Sequence, residues 1–149
     1  MRNILVPIDF SPSTEPVIDI AKTLAESFSA RLWLIHVASP DPDFVGYDAG
    51  PQSVRDQVAD HLREEHQRLQ AIATELRESG VETTALLVQG LAAEKILAES
   101  ERHAADLIVM GSHGHGAMYR ALMGSVSEQV LRKAGCPVTI IPHQVAKVA

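Results

Sequence analysis

The chain predicts an α/β fold, a single five-stranded parallel sheet with helices on both faces. Three observations carry the prediction. Five short apolar runs rich in β-branched residues alternate with amphipathic stretches at helical spacing. The runs are apolar throughout, not alternately, as strands covered on both faces are. A length of 149 residues, 46% hydrophobic and 21% charged, suits one core, so residues 1–149 read as one domain without repeats or low-complexity tracts.

Ile4–Ile8 is the first strand and ends at Asp9. Ser11-Pro12-Ser13 reads as a helix start, with Val17, Ile20, Ala21, Leu24 and Phe28 along one face. Arg31–Val37 is the second strand. Ala38–Gln52 is rich in proline, glycine and aspartate and has no periodicity. Connections of that length are uncommon in compact domains, so this loop is expected to be mobile or functional. A long helix follows, with Val54, Val58, Leu62, Leu69, Ile72 and Leu76 as its stripe and Gly80 as its stop. Thr84–Val88 is the third strand, and Gly90 opens a helix through Ile96, Leu97 and Ala104. Asp106–Met110 is the fourth strand. A glycine-rich loop leads from it into a helix over Val126–Ala134, and Pro137–Pro142 is the fifth strand.

Composition narrows the function classes. The net charge is −6 and no lysine- or arginine-dense run occurs, which argues against a broad nucleic-acid or membrane surface. Cys136 is the single cysteine, so no internal disulfide forms, and its place before Pro137 suits an inert buried thiol. Met1-Arg2-Asn3 leads straight into the first strand, and no apolar run reaches membrane-spanning length. The cytoplasm is the expected location.

The densest chemistry lies after the fourth strand. Four glycines fall within residues 111–124, and Ser125 and Ser127 follow at a helix start. Glycines let backbone approach a ligand closely, and a helix N-terminus presents unpaired N–H groups and positive dipole. The pattern points to phosphate. In parallel sheets ligands bind beyond the strand C-termini where strand order reverses. If the first and fourth strands are neighbours, Asp9 and Gly111 flank one crevice.

Familiar phosphate and nucleotide motifs do not match. A Walker loop needs a lysine within G-x-x-x-x-G-K-[ST], which is missing. A dinucleotide fingerprint needs three glycines after the first strand, whereas Tyr119 takes the third place and the loop follows the fourth. A phospho-acceptor receiver needs an aspartate after the third strand and a lysine after the fifth, where Val88-Gln89 and Pro142-His143 stand. Flavin sites usually enlist aromatics, and only 4% of this chain is aromatic. His113-x-His115 lies on a loop without a nearby acid or cysteine, so no metal site is expected there. His36 reads as a core or pocket-edge side chain. His61, His66, His103 and His143 read as surface residues, and Arg63-Glu64-Glu65 as a wet helix face.

What fits is G-x2-G-x9-G-S, running from Gly111 through Gly114 to Gly124-Ser125. With ILVPID from Ile4, HV at His36, DLIVMGSHG from Asp106, MGSVSEQVL from Met123 and CPVTIIP from Cys136, the chain resembles the universal stress protein family over nearly its whole length. That resemblance implies a Rossmann-like fold of the adenine nucleotide alpha hydrolase-like kind and, with this glycine pattern, ATP binding. By the same resemblance Pro7 and Asp9 line the nucleoside side, and the Val37 backbone bonds adenine. Met110 and Gly111 approach the ribose. Ser112, His113, Gly114 and His115, with Gly124, Ser125, Val126 and Ser127, wrap the phosphates. Phe10-Ser11 departs from the small pair often found after the first-strand aspartate, so Phe10 either narrows the adenine side or packs inward.

The function expected is an ATP-binding regulatory or stress-response module with little or no turnover. The alternatives are a slow ATPase and a nucleotide-dependent interaction module using Ala38–Gln52. No general base or arginine finger is evident, although Arg120 is near. Mg²⁺ would bridge the phosphates. The last strand, Val138-Thr139-Ile140-Ile141, is short and apolar on both faces. It is expected at the sheet margin, where an apolar edge invites another chain. The resemblance likewise implies a homodimer through it.

Overall fold

Apolar runs of four to eight residues, each flanked by turn-forming residues, assemble as the periodicity requires. The computed structural model describes residues 1–39, 52–113 and 123–142. Within them β1 (Asn3–Pro7), β2 (Arg31–Ala38), β3 (Thr83–Gln89), β4 (Leu107–Gly111) and β5 (Val138–Ile141) form one parallel sheet in the order β3-β2-β1-β4-β5. The helices are α1 (Thr14–Phe28), α2 (Gln52–Glu78), α3 (Ala92–Arg102) and α4 (Ser125–Lys133). The α/β class and the neighbouring first and fourth strands are as expected. Boundaries move by a residue or two: Ile8 and Asp106 fall outside their strands, and α3 starts at Ala92 because Gly90, at φ +147°, turns its N–H to the Ala38 carbonyl.

Successive side chains leave a strand on opposite faces, so each strand feeds two cores. Ile4, Val6, Leu32, Leu34, Leu107 and Val109 pack against Val17, Ala21, Ala25, Leu69, Ala73 and Leu76 of α1 and α2. Leu5, Ile35, Ile108 and Met110 pack against Ala93, Ile96 and Val130 of α3 and α4. Two expected core residues of α1 miss the core. Ile20 lies at the edge of the stripe set by Val17, Ala21 and Ala25, and Phe28 is the last helical residue, so they stay 41% and 52% exposed.

The opposite end of the sheet is tied by Asp106. Its Oδ2 accepts the backbone N–H of Arg2 at 2.7 Å and of Asn3 at 2.9 Å, and these bonds hold the carboxyl below its usual range. His103, expected at the surface, instead stacks on Trp33 with ring centroids 4.0 Å apart and bonds Glu99 at 2.9 Å. A flat ring at the end of α3 covers the indole better than water does.

Candidate functional site

β1 runs beside β2 for five residues but pairs with β4 only at Ile4–Leu107 and Leu5–Ile108. Beyond Leu5 the two central strands diverge toward their C-terminal ends, at the point where strand order reverses. A cleft of about 490 Å³ opens there. This is the crevice position expected for ligands in such sheets.

One wall is the start of α4. Its first intrahelical bond runs from Glu128 N–H to the Gly124 carbonyl, so the N–H groups of Ser125, Val126 and Ser127 have no intrahelical partner. All three residues line the cleft, as does Gly124. Gly124 N–H donates to the Ser112 carbonyl at 2.7 Å, which brings the two glycine segments together. The starts of α1 (Ser13, Thr14) and α3 (Ala92) reach the same cleft, and none of the three helices has a side-chain N-cap bond. Three helix dipoles therefore present their positive ends to one space.

The facing wall is the β1 end. Asp9 Oδ1 accepts the Ser11 N–H at 3.0 Å, and Ser11 Oγ accepts the Ser13 N–H at 3.3 Å. Asp9 thus shapes the turn leading into α1 and does not cap the helix. Thr14 Oγ1 is buried beside the cleft and has no hydrogen-bond partner among the described residues. Such an orphaned hydroxyl is costly, about 1–3 kcal/mol, unless something satisfies it.

His36 forms the back of the cleft with Glu65. The imidazole is buried, with Nδ1 2.9 Å from the Ile8 carbonyl oxygen and Nε2 2.9 Å from Glu65 Oε2. Glu65 therefore departs from the expected wet helix face. Phe10 packs inward: its ring lies 4.6 Å from the His36 ring, and the Arg68 guanidinium sits 4.2 Å over it.

Of the residues expected at the site, Pro7, Asp9, Val37, Met110, Gly111, His113, Gly124, Ser125, Val126 and Ser127 line the cleft. Ser112 is buried and serves the protein. Its N–H donates to the Ile141 carbonyl, and its own carbonyl accepts Ser127 Oγ–H at 2.7 Å. The Ser127 hydroxyl is consequently engaged internally, and Ser125 keeps the outward one. Gly114, His115, Arg120, His143 and residues 40–51 lie outside the described residues. Sequence reasoning missed Ser13, Thr14, Ala92 and Glu65. A signal existed for Glu65, which falls in the Val58, Leu62, Leu69, Ile72 stripe as an acid among apolar residues.

Comparison with known proteins gives a consistent result. Residues 1–142 match the model of the universal stress protein family. A Thermus aquaticus relative, the universal stress protein in the QAH/OAS sulfhydrylase 3′ region, is 33% identical over 142 residues, covering 94% of this chain and 98% of the relative. The solved structure of protein MJ0577 of Methanocaldococcus jannaschii superposes with a TM-score of 0.82 at 27% identity, covering 97% and 98% of the two chains. The universal stress protein from Archaeoglobus fulgidus in complex with dAMP shares the fold, with a TM-score of 0.65 at 21% identity and coverage of 94% and 97%.

Proposed function

Since the chain belongs to the universal stress protein family, we propose that it is an ATP-binding regulatory or stress-response module of the cytoplasm with little or no turnover. The observation that carries this reading is the row of N–H groups at Ser125, Val126 and Ser127, without partners among the described residues, facing a cleft of about 490 Å³ at the switch point of the sheet. That volume suits a small ligand, and unpaired amides at a helix start suit phosphate. A protein of this fold was solved with dAMP, which makes an adenine nucleotide the ligand to try first.

In this reading the triphosphate lies against Gly111, His113, Gly124, Ser125, Val126 and Ser127, with Gly114 and His115 completing the loop. Pro7, Asp9, Met110 and the Val37 backbone hold the nucleoside, and Thr14 Oγ1 gains a partner. Mg²⁺ would enter on the phosphates and neutralise part of their charge. Efficient phosphoryl transfer needs cations around the transferring group, and the described residues lining the cleft include neither lysine nor arginine.

The test is mass spectrometry of small molecules released when freshly purified protein is denatured, followed by calorimetry with ATP, ADP and AMP. An adenine nucleotide in the released fraction supports the reading. No release and no binding at millimolar nucleotide would overturn it. Turnover with ATP–Mg²⁺ at ordinary kinase rates, roughly 1–100 s⁻¹, would make the protein an enzyme instead.

A further inference from the structure

Two polar residues interrupt apolar patterns, Glu65 in the stripe of α2 and His36 in β2, and the fold joins them. Both side chains are largely withdrawn from solvent, 9% exposed for His36 and 14% for Glu65. His36 Nδ1 faces the Ile8 carbonyl oxygen, and Nε2 faces Glu65 Oε2, each at 2.9 Å. A carbonyl oxygen and a carboxylate both accept. A neutral imidazole has one N–H and can serve only one of them. Both contacts coexist only when the pair holds one further proton, on the ring or on the carboxyl.

We propose that His36 and Glu65 form a proton-operated latch that fastens α2 to the end of β1, closed when the pair holds this proton and open when it is lost. After deprotonation the ring keeps the Ile8 carbonyl, which has no other donor among the described residues and would otherwise be left unsatisfied. Its Nε2 lone pair then faces a carboxylate, and Glu65 turns away. It has somewhere to go, because Oε1 already lies 2.8 Å from Nε2 of His61, whose side chain is 70% exposed. Among the described residues the titratable and charged groups around the pair are His61 and Arg68 from α2, Asp9 from the β1 end and His113 from the β4 end. α1 turns only Ser13, Thr14 and Val17 to the same cleft. The sign is fixed by the proton count: the attachment is present at low pH and lost as pH rises. Ile8 stands between Pro7 and Asp9, both on the cleft, so opening slackens that wall. Any effect on ligand affinity rests on the nucleotide reading, whereas the latch does not.

The test is amide hydrogen exchange of the full ligand-free chain, expressed as protection factors, from about pH 5.5 to about pH 9. In the wild-type protein protection across residues 61–72 should fall about tenfold over this range. Glu65→Gln should stay protected throughout, because its amide N–H₂ donates to Nε2 of a neutral ring while Nδ1–H keeps Ile8. Glu65→Ala should stay at the lower, high-pH level of the wild type throughout. Wild-type protection that does not vary with pH overturns the proposal without any variant, and so does a Glu65→Gln profile that follows the wild type or Glu65→Ala. No arm contains nucleotide, so failure to bind ATP leaves this test intact.

Discussion

A Cβ placed on Gly124 would stand 3.2 Å from the Ser112 carbonyl oxygen, and one on Gly111 would stand 3.3 Å from Ser13 Cβ. These glycines bring strand end, loop and helix start within reach of one ligand. Gly124→Val should push residues 111–113 off α4 and lower ATP affinity at least about tenfold, about 1.4 kcal/mol. Calorimetry would measure this, with circular dichroism confirming that helix content is kept. At the opposite end, the N–H groups of Arg2 and Asn3 depress the Asp106 carboxyl. Its contribution is in place above the ordinary aspartate range and disappears as pH falls through the lowered folded value. Acid melting curves should therefore show the wild type losing its small advantage over Asp106→Asn as pH falls below the ordinary aspartate range. Curves parallel at every pH would contradict that. The Cys136 thiol is raised by burial and by the Asp106 charge, in keeping with the inert role read from its position.

At the scale of elements, three helices end in left-handed residues, and only one of these is glycine. Gly80 (φ +94°) closes α2 with bonds from Gly80 N–H to Arg77 and from Val81 N–H to Leu76, the reciprocal pair of a Schellman end. Ser29 (φ 52°) and Ala104 (φ 49°) occupy the corresponding places after α1 and α3. Side chains with a Cβ are strained there. Ser29→Gly and Ala104→Gly should each add roughly 0.5–1 kcal/mol, read as an upward shift in melting temperature of a few degrees. Leu69 is fully buried between α2 and the sheet. Leu69→Ala should cost about 2–5 kcal/mol in urea unfolding. The helices were legible because spacing at 3.6 residues marks a face whatever packs on it. Glu65 was misread because the same spacing does not say which polar residue finds a partner across the interface.

At the scale of the molecule, the order β3-β2-β1-β4-β5 puts β5 at one margin with all four of its residues partly exposed. An apolar parallel edge is a template for a second copy, and we expect a homodimer through Val138, Thr139, Ile140 and Ile141. Sedimentation at micromolar concentration should give twice the chain mass, and Ile140→Pro, which removes an edge-facing N–H and leaves the β4 ladder intact, should shift it to the monomer. A monomeric wild type would sink the expectation. Among the described residues no helix is long and apolar enough to cross a membrane.

By itself the sequence determined the strands, the helices and the glycine loop, because each depends on local periodicity and on which residues tolerate close backbone approach. It also marked Asp9 and Gly111 as flanking one crevice, and both line the cleft. The tertiary structure decided how far β1 and β4 diverge, which hydroxyls are engaged inside the protein, and that Glu65 meets His36. Those outcomes turn on distances between residues far apart in the chain. Hydrogen bonds are satisfied across that space, where a one-dimensional pattern carries no information about partners.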